Sequence, residues 1–246
     1  MTKISGFTFI HNAVSGGLPT PEAIKAISPY VDEMVVVNAG STDETEEYLK
    51  HQDVIIYDVP WNPSRDYLND VYKNHVNYCT GDVILFFEGD EVWSDSLLTK
   101  VWHEVKYNDL TEAAVYRLQI EQNFQRCRWY PVSIHRIFKN GSGGSYVSHP
   151  TNHPPMIEIP PEFGFVWDCS NCFRDNIATR RETARELWGE PRRLFVRDHF
   201  TQTVDVTEAE EQELLRAPHW EWKSTPFDIP DVLKPLVGMT RYNPTI

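Results

Sequence analysis

The strongest chemical signal in this chain is Glu88-Gly89-Asp90-Glu91. Three carboxylates in four positions repel one another, and an apolar core is not expected to take them. They follow residues 83–87, VILFF, an unbroken apolar run that reads as a strand buried on both faces of a sheet. Open α/β sheets place their ligands at the carboxyl ends of such strands. Gly89 permits close approach of a backbone or a phosphate. Hard oxygen ligands at this spacing suit Mg²⁺ or Mn²⁺, which in turn holds a diphosphate. The competing reading is an acidic loop that caps the helix after it.

The elements that must position this loop come from alternating patterns. A strand is expected over 4–10, ending at His11-Asn12. Thr20-Pro21-Glu22 then opens a helix, with Thr20 as cap, Pro21 in the first turn and Glu22 at the positive end of the dipole. Ala23, Ile24, Ala26 and Ile27 form its buried side. MVVV at 34–37 is a second buried strand, and Ser41-Thr42-Asp43-Glu44 is a capping box for a helix reaching Lys50. A third strand is expected over 54–57, and a helix over 65–78 behind Ser64. Four such alternations predict a mainly parallel sheet with right-handed crossovers. The loops carrying His11/Asn12, Asn38/Asp43 and Glu88/Asp90 then share one edge.

Beyond Trp93 the pattern predicts a helix capped by Ser94, strands over 115–120, 129–138 and 163–167, and helices over 179–188 and 207–216. NGSGGS at 140–145 reads as a flexible turn, and the five prolines of 149–161 mark an extended loop. The simplest organisation is one domain over 1–246: residues 1–110 carry the acidic loop, 111–200 a second half, and 201–246 an extension whose Trp- and Pro-rich tail packs over the domain.

The chain has 246 residues, 41% of them hydrophobic, and a formal charge of −13. That charge argues against a nucleic-acid partner, which normally meets a basic face. No apolar stretch reaches the roughly 20 residues a membrane-spanning helix needs, and no signal peptide is visible. Cys79 and Cys127 stand alone. Cys169 and Cys172 form a C-x-x-C read as half-buried free thiols, since one such pair is weak evidence for zinc. A cytoplasmic protein is expected.

Four stretches, FTFIHNA, VDEMVVVNAGSTDETEEYL, WNPSRD and CTGDVILFFEGDEVWSD, resemble family 2 glycosyltransferases of the GT-A fold. The likeness covers about residues 4–110 and thins out beyond, to pieces such as IHRIFKNG. It implies an α/β, Rossmann-like sheet flanked by helices, with a C-terminal extension. The implied activity is inverting transfer of a sugar from a nucleoside-diphosphate sugar donor to a saccharide or other hydroxyl acceptor, aided by Mn²⁺ or Mg²⁺. In that family an acidic or amide residue after the second strand binds the base; here it is Asn38, where Asp is usual, and Asp43 reads as part of the helix start. Arg65 follows the third strand at a position often basic and facing the donor, with Asp66 beside it. A guanidinium there forks onto a phosphate or stacks on a base; the alternative is a surface Arg at a helix N-terminus, an unfavourable placement. The family's Asp-x-Asp appears as Glu88-x-Asp90, which makes Asp90 the surer metal ligand and leaves Glu88 for the metal or the ribose; Glu91 anchors the loop. Together with His11, Asn12 and Gly89 these residues make up the expected donor site. The base that deprotonates the acceptor is sought among Asp168, His149 and His153; Asp168 is also a candidate metal ligand, and the histidines either bind metal or pack in the Pro-rich loop. Trp93 and Trp102 read as core, while Trp129 and Trp167 are open as acceptor-stacking surfaces.

Two other readings compete. A nucleotidyltransferase shares the sheet and acidic site, but it carries a basic, Gly-rich loop after the first strand, and HNAVSGGLP has no Lys or Arg. A non-catalytic nucleotide- or sugar-binding relic is motivated by Asn38 and Glu88 standing in for aspartates.

Overall fold

The structure is a computed structural model that describes residues 1–62, 65–121, 126–128, 132–142, 157–172, 193–195, 203–205, 222–224, 229–237, 239 and 242. In chain order the elements are β1 (Ile4–Ile10), α1 (Thr20–Ile27), β2 (Glu33–Ala39), α2 (Thr45–Lys50), β3 (Ile55–Val59), α3 (Arg65–His75), β4 (Val83–Phe86), β5 (Glu91–Trp93), α4 (Asp95–Tyr107), β6 (Ala113–Glu121), β7 (Arg126–Arg128), β8 (Val132–Lys139), β9 (Ile157–Glu158), β10 (Val166–Asn171), β11 (Arg193–Phe195), β12 (Thr203–Asp205) and β13 (Trp222–Ser224).

The main sheet runs β13-β7-β6-β8-β4-β1-β2-β3. Its β3, β2, β1 and β4 are parallel, as the strand–helix alternation predicts. The chain winds outward from β1 to β2 and β3, then returns to lay β4 on the other side of β1. That reversal makes the carboxyl ends of β1 and β4 the switch point at which such sheets bind ligands. The second half continues the sheet with antiparallel partners: β8 on β4, and β6 on β8. β10 inserts between β5, antiparallel, and β6, parallel.

The continuous apolar runs follow from burial on both faces, because alternate residues of a strand point to opposite sides. Met34, Val36, Val83 and Leu85 pack with α1 and with Leu97, Leu98, Val101 and Val105 of α4. Val35, Val37, Ile84 and Phe86 pack on the other face with Phe7, Val71 and Tyr72. Each such fully buried large side chain contributes about 1.5–3 kcal/mol.

Several local expectations change. α2 starts at Thr45, not at the capping box, because the side chains that would cap it stitch two loops together. Ser41 Oγ accepts from the Asn12 N–H, and Asp43 accepts from the N–H groups of Ser15 and Thr45. Thr20 does not cap α1; Pro19 holds the N-cap position, and the Thr20 hydroxyl donates to the Gly89 carbonyl. Ser94 does sit at the N-cap of α4, but its hydroxyl accepts from the Phe165 N–H. Glu91–Trp93 is a strand where a loop is expected, since β10 supplies its partner. Residues 161–163 form a 3-10 turn, so the strand expected over 163–167 begins later, at Val166. Cys169 and Cys172 form no disulfide, as expected, but are fully buried, not half-buried. Trp167 is core at 2% exposure and offers no stacking surface to an acceptor. Trp129, the Pro-rich loop through 156 and the helices expected over 179–188 and 207–216 lie outside the described residues. In the extension, a 3-10 segment (Asp231–Leu236) buries Leu233 and Leu236, and Tyr242 is buried with its hydroxyl donating to Glu22 of α1.

Candidate active site

At the ends of β1 and β2 a polar lattice fixes the loops. Asn12 adopts φ +46°, a left-handed conformation Asn tolerates better than most residues. Its side-chain oxygen accepts from the Thr42 N–H at 2.7 Å. Its amide nitrogen lies 3.0 Å from His11 Nε2, while His11 Nδ1 lies 2.6 Å from the Ala39 carbonyl. That pairing assigns the proton to Nδ1 and leaves Nε2 as acceptor, a neutral imidazole. The ring stacks on Trp61, with centroids 3.7 Å apart and planes within 2°. Gly40, at φ +57°, lets the chain pass beneath: a Cβ there would fall 2.7 Å from the Trp61 nitrogen.

Asn38 is buried at the end of β2, and both ends of its amide are engaged. Nδ2 donates to Asp58 Oδ1 at 2.8 Å, and Oδ1 accepts from the Ser41 N–H at 3.3 Å. This gives a physical reason for Asn in place of Asp: a carboxylate here would face that of Asp58 across β2 and β3.

The acidic loop is more deeply built than its sequence suggests. Glu91 is 0% exposed and Asp90 8%. The core does take these carboxylates, contrary to expectation, because two strands deliver guanidiniums to them. Arg136 of β8 forks onto Glu91, Nε to Oε2 at 2.9 Å and Nη2 to Oε1 at 2.8 Å, and Nη2 also reaches Glu88 Oε1 at 2.8 Å. Arg117 of β6 places Nη1 3.7 Å from Glu91 Oε1 and 3.6 Å from Asp168 Oδ2. The loop closes on itself through the Glu88 N–H to Glu91 Oε2, so Glu91 does anchor it. Gly89 admits a close neighbour, but the neighbour is the chain itself: a Cβ would meet Thr20 Oγ1 at 2.8 Å. The Asp90 carbonyl accepts from the Cys169 N–H at 2.9 Å.

Electrostatics follow from this crowding. Burial pushes Glu88 up to about 7; Arg136 pulls against it, and Glu91 and Asp90 push with it. Burial lowers Arg117, but Asp168, Glu91 and Glu88 outweigh it and leave the guanidinium more firmly protonated than usual. The hard oxygen donors of Glu88 and Asp90 fit a divalent cation. Among the described residues, no three His, Cys, Asp or Glu side chains are already gathered into a coordination sphere.

The sequence of residues 10–185 matches the model of the family described as glycosyl transferase family 2, about seven-tenths of the chain. The chain belongs to that family. Solved structures with a similar course include S. aureus TarS 1-349 in complex with UDP-GlcNAc, 15% identical over 48% of this chain and 35% of that one, with a TM-score of 0.39. Glucosyl-3-phosphoglycerate synthase from Mycobacterium tuberculosis, in complex with Mn²⁺, UDP and glucosyl-3-phosphoglycerate, is 19% identical over 47% of this chain and 44% of that one, with a TM-score of 0.38. The present chain thus spans less than half of either neighbour. No curated protein matches it.

Of the residues expected in this family's donor site, the structure brings His11, Asn12 and Asn38 to one sheet edge, with Glu88, Gly89 and Asp90 following β4 at the same edge. Arg65 and Asp66 open α3 directly after β3. Asp168 lies within β10, opposite Glu91 in register, so it joins the acidic loop. His149 and His153 lie outside the described residues. The sequence reading missed Arg117, Arg136 and Asp58. A usable signal existed for the arginines: each interrupts an apolar strand, AAVYRLQI and VSIHRIFK, and an Arg buried in a strand needs an internal carboxylate.

Proposed function

We propose that this protein transfers a sugar from a nucleoside-diphosphate sugar to a hydroxyl acceptor, saccharide or other, with inversion at the anomeric carbon, and that it works in the cytoplasm as a single domain. The observation that carries the reading is the acidic loop over 88–91 following β4 in a family 2 chain, with Asp168 opposite Glu91 in register. His11, Asn12 and Asn38 are assigned to the nucleotide, with Arg65 and Asp66 assigned to the same donor. Glu88 and Asp90 are the residues that would hold Mn²⁺ or Mg²⁺. When bound, the cation supplies charge neutralisation for the departing nucleoside diphosphate. Asp168 takes the proton from the acceptor hydroxyl, and its 7% exposure keeps bulk water from competing for it.

The test is a thermal-shift screen of UDP, GDP and their sugars with and without Mn²⁺, followed by donor hydrolysis. One nucleotide should raise the melting temperature only with metal. Ligand at about 100 times its Kd stabilises by about 2.7 kcal/mol. Asp168→Asn should keep that shift and lose transfer; retained transfer would move the base to His149 or His153. The second reading, a non-catalytic relic, is favoured by the amide of Asn38 and the carboxylate of Glu88 already being bonded within the protein. It prevails if no nucleotide shifts the melt.

A further inference from the structure

The acidic cluster holds its two arginines in unlike ways. Arg136 is saturated: its side chain is 9% exposed and donates to Glu88 and Glu91 at 2.8–2.9 Å. Arg117 has a side chain 28% exposed, and its contacts with Glu91 and Asp168, at 3.7 and 3.6 Å, are longer than hydrogen bonds. Strand register explains the placement. Arg117 pairs with Val166 and Asp168 pairs with Glu91, and Val166 and Asp168 are two apart on β10, so all four share one face. Arg136 is a fixed part of the fold, held in a bidentate fork. Among the described residues, Arg117 is held by charge alone, between the acidic loop and the strand that carries Asp168.

We propose that Arg117 is the resident counter-ion of the acidic site: it balances Glu91 and Asp168 while no divalent cation is bound, and opposes the cation when one arrives. The inference rests on the cation site of the proposed function. It makes a prediction of definite sign. A residue that positions metal ligands weakens metal binding when removed, whereas a counter-ion strengthens it when removed.

The experiment uses the full chain and Mn²⁺ alone, with free Mn²⁺ followed by electron paramagnetic resonance and melting temperature measured alongside. Arg117→Met and Arg117→Gln should each bind Mn²⁺ tighter by about tenfold or more, since even a heavily screened unit charge beside a divalent cation is worth at least that factor. Each should melt lower than wild type without metal and gain more from its addition. Arg117→Lys should stay near wild type. Unchanged or weaker Mn²⁺ binding in both neutral variants, while wild type binds, would overturn the counter-ion role and leave the proposed function standing. Failure of wild type to bind Mn²⁺ at millimolar concentration would overturn the cation site itself, and this inference with it.

Discussion

At the scale of single residues, Asn38 shows how a departure from a family pattern acquires a local cause. Asn at this position donates to Asp58 and accepts from the Ser41 N–H, which joins β2, β3 and the following turn. Asn38→Asp should therefore destabilise by about 1–3 kcal/mol, the cost of losing a buried donor and facing two carboxylates. Urea denaturation would measure it. Asp58→Asn in the same background should restore most of the loss, since an amide can then donate to the new carboxylate; additive losses would show that the pair is not the cause. The pattern of residues 83–92 revealed an acidic loop, and the resemblance gave Glu91 its anchoring role. Neither revealed that Glu91 would be fully buried, because its partner Arg136 lies 45 residues further along the chain.

At the scale of elements, α1 and the acidic loop are locked together at one contact. The Thr20 hydroxyl donates to the Gly89 carbonyl at 2.9 Å, and a Cβ on Gly89 would come 2.8 Å from that oxygen and 3.1 Å from Ile10 Cγ2. Gly89→Ala should cost about 1–3 kcal/mol by overpacking, read as a lower melting temperature. Thr20→Ala in that background should recover part of the loss, since removing the hydroxyl opens the space; an undiminished loss would assign the clash to Ile10 alone. The existence and order of the first four strands and three helices were legible, because each has an apolar period and a start or stop signal. Their caps were less so: tertiary partners claimed the side chains of Thr20 and Ser41, and Asp43 divides its carboxylate between Thr45 at the start of α2 and Ser15 in another loop.

At the scale of the whole molecule, the extension closes back on the first half of the chain. Tyr242 donates to Glu22 across 220 residues, and Leu233 and Leu236 are buried in the same apolar cluster as Ala23, Ile24 and Ile27 of α1. Burial raises the Glu22 carboxyl above its ordinary range, with the Tyr242 hydroxyl pulling the other way. A carboxyl raised in the folded state contributes stability that is fully present below its unfolded pKa and lost as pH rises through the folded value. Wild type should thus lose stability on this account between mildly acidic and neutral pH. Glu22→Gln removes the ionisation and keeps an acceptor for Tyr242, so its melting temperature should fall less than that of wild type from pH 4.5 to pH 8. Parallel curves would remove Glu22 from the account.

By itself the sequence determined the α/β class, the parallel first half, and the sheet edge that carries the loops of His11/Asn12, Asn38 and Asp90. These are local properties: apolar runs set strands, and chain direction sets which ends carry loops. Tertiary structure alone decided that Asp168 would stand opposite Glu91, that Arg117 and Arg136 would supply the opposing charge, and that Asn38 would bind Asp58. Each depends on strand register between segments 20 to 77 residues apart, and no local pattern encodes which strand will lie beside which.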